Sequence, residues 1–290
     1  MAAAVYLARQ KFSFLILTGD VGGQALLSDD VENYLGFHLM NGVQLIEQFK
    51  KHLADYKEYF ETRTGEEVSK IEKMDGGFRV TTGKGTYETK TVLIATGTKH
   101  RKLHVPGEDA LYGHGVTYCA NCDSPLFKDK IVYVIGGGNS AMDAALFVEK
   151  YATQVVMVNL NPELQGDEVM KSKIAQSHKI KVYASTKTTK IVGSTSVTGI
   201  GLMGPDGQER EEKTDGVFIE IGLAPVTDFI DFVSKDSHQQ IIVDKLTVTS
   251  VEGVWAAGDV TDVTEKQISV AVGEGSKASL EIIKYLQTHH

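Results

Sequence analysis

Two short segments of this sequence carry residue types whose spacing can do chemistry. The first is Cys119-Ala120-Asn121-Cys122-Asp123, which contains both cysteines of the chain. In an α/β protein a C-x-x-C pair serves as a redox dithiol or as half of a zinc site. Two cysteines cannot make a four-cysteine site, and completing one with His104 and His114 gives a spacing that matches no zinc pattern. A buried structural pair is a third alternative. Asp123, directly after the motif, favours redox use and no metal, because thiol–disulfide exchange moves protons at each step and a neighbouring carboxyl can carry them. Asp123 equally suits a turn or helix cap ahead of Ser124-Pro125.

The second segment is G-G-G-N-S-A, residues 136–141, between an apolar run and a helical pattern. It fits the G-x-G-x-x-A form of the dinucleotide turn. Gly136 permits the tight turn, Gly138 lets a diphosphate approach the backbone, and Ala141 lets the helix pack closely on the strand. Asn139 and Ser140 stand at the passage from the turn into the helix, whose free N–H groups suit an anion. The end of the following strand selects the nucleotide: an acidic residue bonds the ribose hydroxyls of NAD, and arginine accommodates the 2′-phosphate of NADP. Here the strand ends on Asn159, a neutral ribose partner, and no Arg or Lys occurs before Lys171. NADH is therefore the expected cofactor, with NADPH possible.

These segments need a scaffold of alternating strands and helices, and the sequence supplies one. Helices are expected over 2–9, over 42–59 (Val43, Ile46, Phe49, Leu53 and Tyr56 recur at steps of three and four), over 140–150 and over 269–286. Apolar runs at 12–17, 130–135 and 154–159 suit buried strands, and 130–159 reads as one βαβ unit. Glycine-broken β segments between 66 and 95, and again between 187 and 221, suit hairpins. Domain crossings are expected near 113–115 and 243–245.

Composition bounds the rest. The 290 residues carry 30 Lys+Arg against 38 Asp+Glu, a net charge of −8, with 42% hydrophobic residues. That is ordinary for a soluble globular chain and unsuited to a nucleic-acid or anionic-membrane partner. No apolar run approaches the ~20 residues of a membrane span. The first residues place positive charge after the apolar stretch, the reverse of a secretory signal, and two cysteines do not staple a secreted scaffold. A cytoplasmic protein is expected.

Weaker landmarks, taken in order, complete a pattern: G-G-Q at 22–24, E-N-Y-L-G at 32–36, A-T-G at 95–97, W-A-A-G-D-V-T-D at 255–262 and K-Q-I-S-V-A-V-G-E-G at 266–275. With the two strong segments they make the chain resemble the low-molecular-weight thioredoxin reductases over nearly its whole length. Residues 123–127 and the loop 162–169, which lacks basic residues, are similar to the flavoprotein subunit of alkyl hydroperoxide reductase. That relative prefers NADH and carries N-terminal thioredoxin-like domains.

The resemblance implies an α/β fold of two Rossmann-like, three-layer domains, each with an added β-meander. An FAD domain would comprise residues 1–113 plus 246–290, and an NAD(P)H domain carrying the dithiol would comprise 114–245. In the family a strand and a G-x-G-x-x-G turn hold the FAD diphosphate, and this sequence shows neither ahead of its first helix. FAD binding is accordingly expected to be weakened.

By the same resemblance Gln24 and Asn33 would lie near the flavin, Asp259 near its ribityl or diphosphate region, and Gln267 and Ile268 at the ring edge. Gly22, Gly23, Ala95, Thr96, Gly97, Gly258 and Lys266 would complete that site. Cys122 would face the flavin, Cys119 would attack a thioredoxin-like or glutaredoxin-like protein disulfide, and Asp123 would act as acid/base. The family alternates between two domain orientations and is homodimeric. The implied activity is electron transfer from NAD(P)H through FAD to the dithiol. The alternatives are a nucleotide-binding or redox-sensing protein without turnover, and an oxidase that reduces O2.

Overall fold

Residues 1–27 and 31–288 are described by the computed structural model. Ala2–Arg9 forms α1, whose buried Ala3, Ala4 and Ala8 pack toward the last helix of the chain. Strand β1 (Phe14–Thr18) follows, and a 3₁₀ turn covers Gly23–Leu27. Helix α2 (Gly42–Ala54) begins at a capping box: the Gln44 N–H donates to Asn41 Oδ1, and the Asn41 N–H donates to Gln44 Oε1. It ends at Ala54 rather than at the expected Tyr59, because the chain turns there to bring β2 (Phe60–Thr64) alongside β1 in a parallel pair.

An antiparallel meander of β3 (Val68–Met74), β4 (Gly77–Thr82) and β5 (Thr86–Thr89) comes next, turning at the glycines that the sequence offers. Strands β6 (Val92–Ile94) and β7 (Thr98–His100) then lead into the middle of the chain.

The middle of the chain opens with β8 (Val116–Thr117), the short helix α3 (Ala120–Asp123) and a 3₁₀ turn over Ser124–Phe127. The expected βαβ unit follows as β9 (Ile131–Ile135), α4 (Asn139–Val148) and β10 (Gln154–Val158), the two strands pairing in parallel. Helix α5 (Glu168–Gln176), β11 (Ile180–Tyr183) and a second meander of β12 (Lys187–Gly193), β13 (Val197–Met203) and β14 (Glu209–Lys213) come after it. Strand β15 (Gly216–Ile219) leaves the meander and inserts between β9 and β8, so the parallel sheet runs β11-β10-β9-β15-β8.

The alternation of side chains explains the layering. Val132, Val134, Val155, Met157 and Phe218 face α4, while Tyr133, Ile135, Val156, Val158, Val217 and Ile219 face the meander. Each fully buried aliphatic or aromatic side chain of this kind contributes about 1.5–3 kcal/mol.

The chain returns through β16 (Leu223–Pro225), which pairs with β7, to β17 (Val254–Ala256), which pairs in parallel with β6, and closes with α6 (Ile268–Thr288). This terminal unit repeats the scheme. Ile71, Phe78 and Val80 of the meander cover one side, and Trp255, Ala257, Ala278 and Ile282 form the cluster with α6 on the other.

The two compact units are Met1–Lys99 with Ala224–His290, and His100–Leu223. The boundaries expected at 113 and 245 are displaced, for a packing reason. Phe229, Ile230, Val233 and Ile241 bury themselves against Ile71 and Phe78 and so belong to the terminal unit. Leu103, Val105 and Leu111 pack with Val116 and Ile191 and belong to the middle one. No helix among the described residues is long and apolar enough to cross a membrane.

Candidate functional site

The middle unit holds the dithiol. Cys119 and Cys122 are joined as a disulfide with Cα atoms 5.3 Å apart, so both sulfurs are committed to each other rather than to His104 and His114. Cys119 caps α3: its sulfur accepts the Cys122 N–H at 3.2 Å. An amide directed at this sulfur stabilises negative charge there, which favours Cys119 as the thiolate once the disulfide opens. In this structure Cys119 is half-buried and Cys122 exposed.

Asp123 is held next to the pair by a residue that sequence reasoning passes over. The buried Thr117 hydroxyl donates to Asp123 Oδ2 at 2.5 Å and accepts the Cys119 N–H at 3.0 Å. One hydroxyl therefore ties the carboxyl to the start of the motif. Thr117 lies at the end of β8, two residues before the first cysteine, and only the parallel pairing of β8 with β15 brings it there.

Glu108 supports the same loop from behind. Its carboxylate, 2% exposed, accepts the N–H groups of Leu103, His104 and Val105 and the Tyr118 hydroxyl at 2.6 Å. Burial and this bond both push the Tyr118 phenol above its ordinary range. Replacing Glu108 with glutamine puts amide hydrogens against backbone donors. The Glu108→Gln variant is expected to lose about 2 kcal/mol of stability, read as a lower urea midpoint. A loss under about 0.5 kcal/mol, the ordinary size of a surface effect, would show that this carboxylate is not organising the loop.

The glycine turn stands at the carboxyl ends of the parallel strands, where α/β sheets bind ligands. Gly136 has φ 139°, and a Cβ there would lie 2.2 Å from the Glu220 carbonyl oxygen and 2.9 Å from the Ala141 Cβ. The G…A pairing of the motif is thus a close packing of turn, helix and neighbouring strand. Gly138 is different: a Cβ there would meet nothing nearer than the Gln165 carbonyl at 3.8 Å. That opening adjoins the start of α4, which has no side-chain cap, so its first N–H groups remain available to an anion. Ser140 is exposed in the first turn, and Asn139 Oδ1 accepts the Asp167 N–H, tying the turn to the loop before α5. These residues fit the diphosphate of a dinucleotide.

Asn159, the expected ribose partner, has its amide committed within its own loop. Its side chain is buried, its amide donates to the carbonyls of Asn161 and Glu163, and its Oδ1 accepts the Asn161 N–H. It shapes the loop after β10 and has no amide hydrogen left for a ribose. The exposed Asn161 and Glu163 are the polar side chains beside it.

The remaining candidates lie in the terminal unit. Gln24 donates to the carbonyl and hydroxyl oxygens of Thr98, beside Gly22 and Gly23. Asn33 donates to Gln267 Oε1 at 3.0 Å, so these two distant candidates are brought together, with Ile268 opening α6 beside them. Ala95, Thr96 and Gly97 follow β6, and the Thr96 hydroxyl donates to the Val226 carbonyl.

At the end of β17 the Gly258 N–H donates to Oε2 of the buried Glu274, a second residue that sequence reasoning misses. Lys266 donates to the carbonyls of Asp259 and Thr261. Burial lowers its ammonium and raises the Asp259 carboxyl, which makes no hydrogen bond among the described residues. A half-buried, uncommitted carboxyl of this kind fits the hydroxyls of a flavin side chain.

An alkyl hydroperoxide reductase subunit of Staphylococcus epidermidis is 35% identical to this chain over 288 residues, covering 98% of the chain and 56% of that protein. Its Staphylococcus aureus counterpart is 36% identical with the same coverage. The chain therefore spans about half the length of the curated relatives it matches. Among solved structures, Lactococcus lactis thioredoxin reductase in its FR conformation matches with a TM-score of 0.84 at 30% identity, over 99% of this chain and 95% of that one. The thioredoxin reductase of T. acidophilum gives 0.80 at 39% identity, over 99% and 94%. The family profile of pyridine nucleotide-disulphide oxidoreductases matches residues 1–275. One unit of the chain carries both the Cys119–Cys122 disulfide and the glycine turn, and the chain belongs to the pyridine nucleotide-disulphide oxidoreductase family.

Proposed function

We propose that this chain is a flavin-dependent oxidoreductase that draws electrons from NADH, reduces the Cys119–Cys122 disulfide and passes the electron pair to a thioredoxin-like or glutaredoxin-like protein disulfide. The observation that carries the reading is the disulfide itself, flanked by a carboxyl that Thr117 fixes in place and carried on the same unit as a dinucleotide turn. FAD would be held by Gln24, Asn33, Asp259 and Gln267 of the terminal unit, and NADH by the turn over Gly136, Gly138 and Ser140. Bound together, the two cofactors would supply the electron pair that opens the disulfide.

The chain's own residues do the rest. Opening the disulfide adds two electrons and two protons, leaving Cys119 and Cys122 as a dithiol. Cys119 gives its proton to Asp123 and, as a thiolate favoured by the Cys122 N–H, attacks one sulfur of the partner's disulfide. A Cys119–partner bond forms, the partner's S–S bond breaks, and the departing sulfur takes a proton from Asp123. Cys122 then gives up its proton to Asp123 and attacks Cys119. The Cys119–partner bond breaks, the partner's second sulfur takes that proton from Asp123, and the original disulfide is restored as the partner leaves as a dithiol. Thr117 ties the Asp123 carboxyl to the Cys119 backbone at the start of the motif, on the side where these transfers are proposed.

The preference for NADH rests on the loop after β10. That loop carries Glu163 and Asp167 and the first turn of α5 adds Glu168, all exposed, and the first cation, Lys171 of α5, is paired with Glu168 at 2.8 Å. A 2′-phosphate would meet carboxylates there. The test is reduction of a thioredoxin-like disulfide substrate with each nucleotide, alongside flavin absorbance of the purified protein. NADH is expected to have the higher kcat/KM. A tenfold preference for NADPH, about 1.4 kcal/mol, would reverse the assignment, and absence of turnover with either nucleotide would refute the function.

A further inference from the structure

The dinucleotide turn has a carboxyl at one side that the reaction above does not use. Adenosine lies toward the end of the second strand in this arrangement, which here is β10. Because β15 flanks β9 on the other side, the nicotinamide half of the same ligand lies toward the end of β15. The residue at that end is Glu220. Its N–H donates to the Ile135 carbonyl at 2.8 Å, and its own carbonyl packs against Gly136, so its position is fixed by the turn itself.

The Glu220 side chain is half-buried, and its carboxyl makes no hydrogen bond among the described residues. Burial, reinforced by Asp143 of α4, pushes it up to about 7. Asp143 is itself raised by burial and drawn back by Lys173 of α5. Asp143 is the charged neighbour that raises Glu220 further, and Arg101 is bonded to the segment that follows it, its N–H donating to the Gly222 carbonyl and its guanidinium to the Leu223 carbonyl.

We propose that Glu220 reads the charge of the nicotinamide ring, its ionised form favouring the oxidised, cationic ring over the reduced, neutral one. This rests on the dinucleotide reading of the turn. The two forms of the nucleotide share the same adenosine and diphosphate, so the ratio of their affinities cancels every contact except those sensitive to the ring. A neutral Glu220 has no net charge with which to discriminate. An ionised Glu220 attracts the cation, so the ratio shifts toward the oxidised nucleotide as pH rises through neutrality. For one charge pair in a half-solvated site the shift is about three- to tenfold. The consequence is tighter retention of the oxidised product in alkaline solution.

Calorimetric titration of the full chain tests this, with NAD+ and with 1,4,5,6-tetrahydro-NAD, a neutral-ring analogue that cannot donate hydride. Measurements run from about pH 6 to about pH 8.5, spanning the titration. The ratio of Kd for the analogue to Kd for NAD+ is expected to rise three- to tenfold across that range. It should stay level in Glu220→Gln, and its midpoint should move to lower pH in Asp143→Asn. Circular dichroism melts establish that both variants fold. A level ratio in the unmodified chain, or an unchanged slope in Glu220→Gln, overturns the proposal. Binding without a slope removes this inference alone, whereas failure of both ligands to bind at any pH removes the dinucleotide reading beneath it.

Discussion

Replacing Cys119 with serine is expected to abolish reduction of a protein disulfide by this chain, lowering kcat by about 10³-fold or more, as loss of a nucleophile does. The Cys119 sulfur receives the Cys122 N–H, and Asp123 is held beside it by Thr117. A serine hydroxyl keeps the cap at the start of α3, so the loop should remain folded while the thiolate is lost. The paired variant, Cys122→Ser, should be as inactive in turnover but for another reason: Cys119 still attacks, and no second thiol resolves the product. Incubating each variant, reduced, with a thioredoxin-like protein in its disulfide form should give a covalent complex on a non-reducing gel for Cys122→Ser and none for Cys119→Ser. The opposite pattern would exchange the roles of the two thiols.

Most of the scaffold around this chemistry is legible in the sequence, because its signals are local. The run Ile-Val-Tyr-Val-Ile followed by three glycines and a helical pattern predicts β9, the turn and α4, and the structure places them so. The glycines between β3, β4 and β5 likewise mark turns that the chain makes.

What the sequence conceals depends on long-range packing. Residues 226–245 carry no periodicity, yet Phe229, Ile230, Val233 and Ile241 decide to which unit the segment belongs. Glu108 sits beside a Pro-Gly pair and reads as a surface turn residue until the chain folds three amides and a phenol onto it. Asn159 stands where a ribose partner is expected, and its short side chain instead closes its own loop. Thr117 is an isolated polar residue, and Glu274 lies within the landmark 266–275 without any spacing that announces its bond to Gly258; each holds a group of the candidate sites.

The glycine turn allows folding and binding to be separated, because two of its residues fail for different reasons. At Gly136 the backbone is at φ 139°, and a Cβ would sit 2.2 Å from the Glu220 carbonyl. Neither the strand nor the turn can move without breaking the register of β9 with β15. Gly136→Ala should therefore cost about 3 kcal/mol or more in stability, from backbone strain and overpacking together, and should lose nucleotide binding with it. At Gly138 the backbone has φ −91° and ψ −174°, which alanine adopts freely, and the nearest atom to a Cβ is 3.8 Å away. Gly138→Ala should keep its stability within about 0.5 kcal/mol. Its added methyl, however, stands in the opening where a diphosphate approaches the first N–H groups of α4. Losing one or two charge-assisted hydrogen bonds of about 1.5–3 kcal/mol each lowers NAD+ affinity by at least about tenfold. Urea unfolding and calorimetric titration of the two variants give four numbers, among which one pattern is required: both quantities lost at Gly136, binding alone lost at Gly138. Unaltered NAD+ affinity in Gly138→Ala would mean that the diphosphate does not approach the turn there, and the dinucleotide reading of this unit would have to be abandoned.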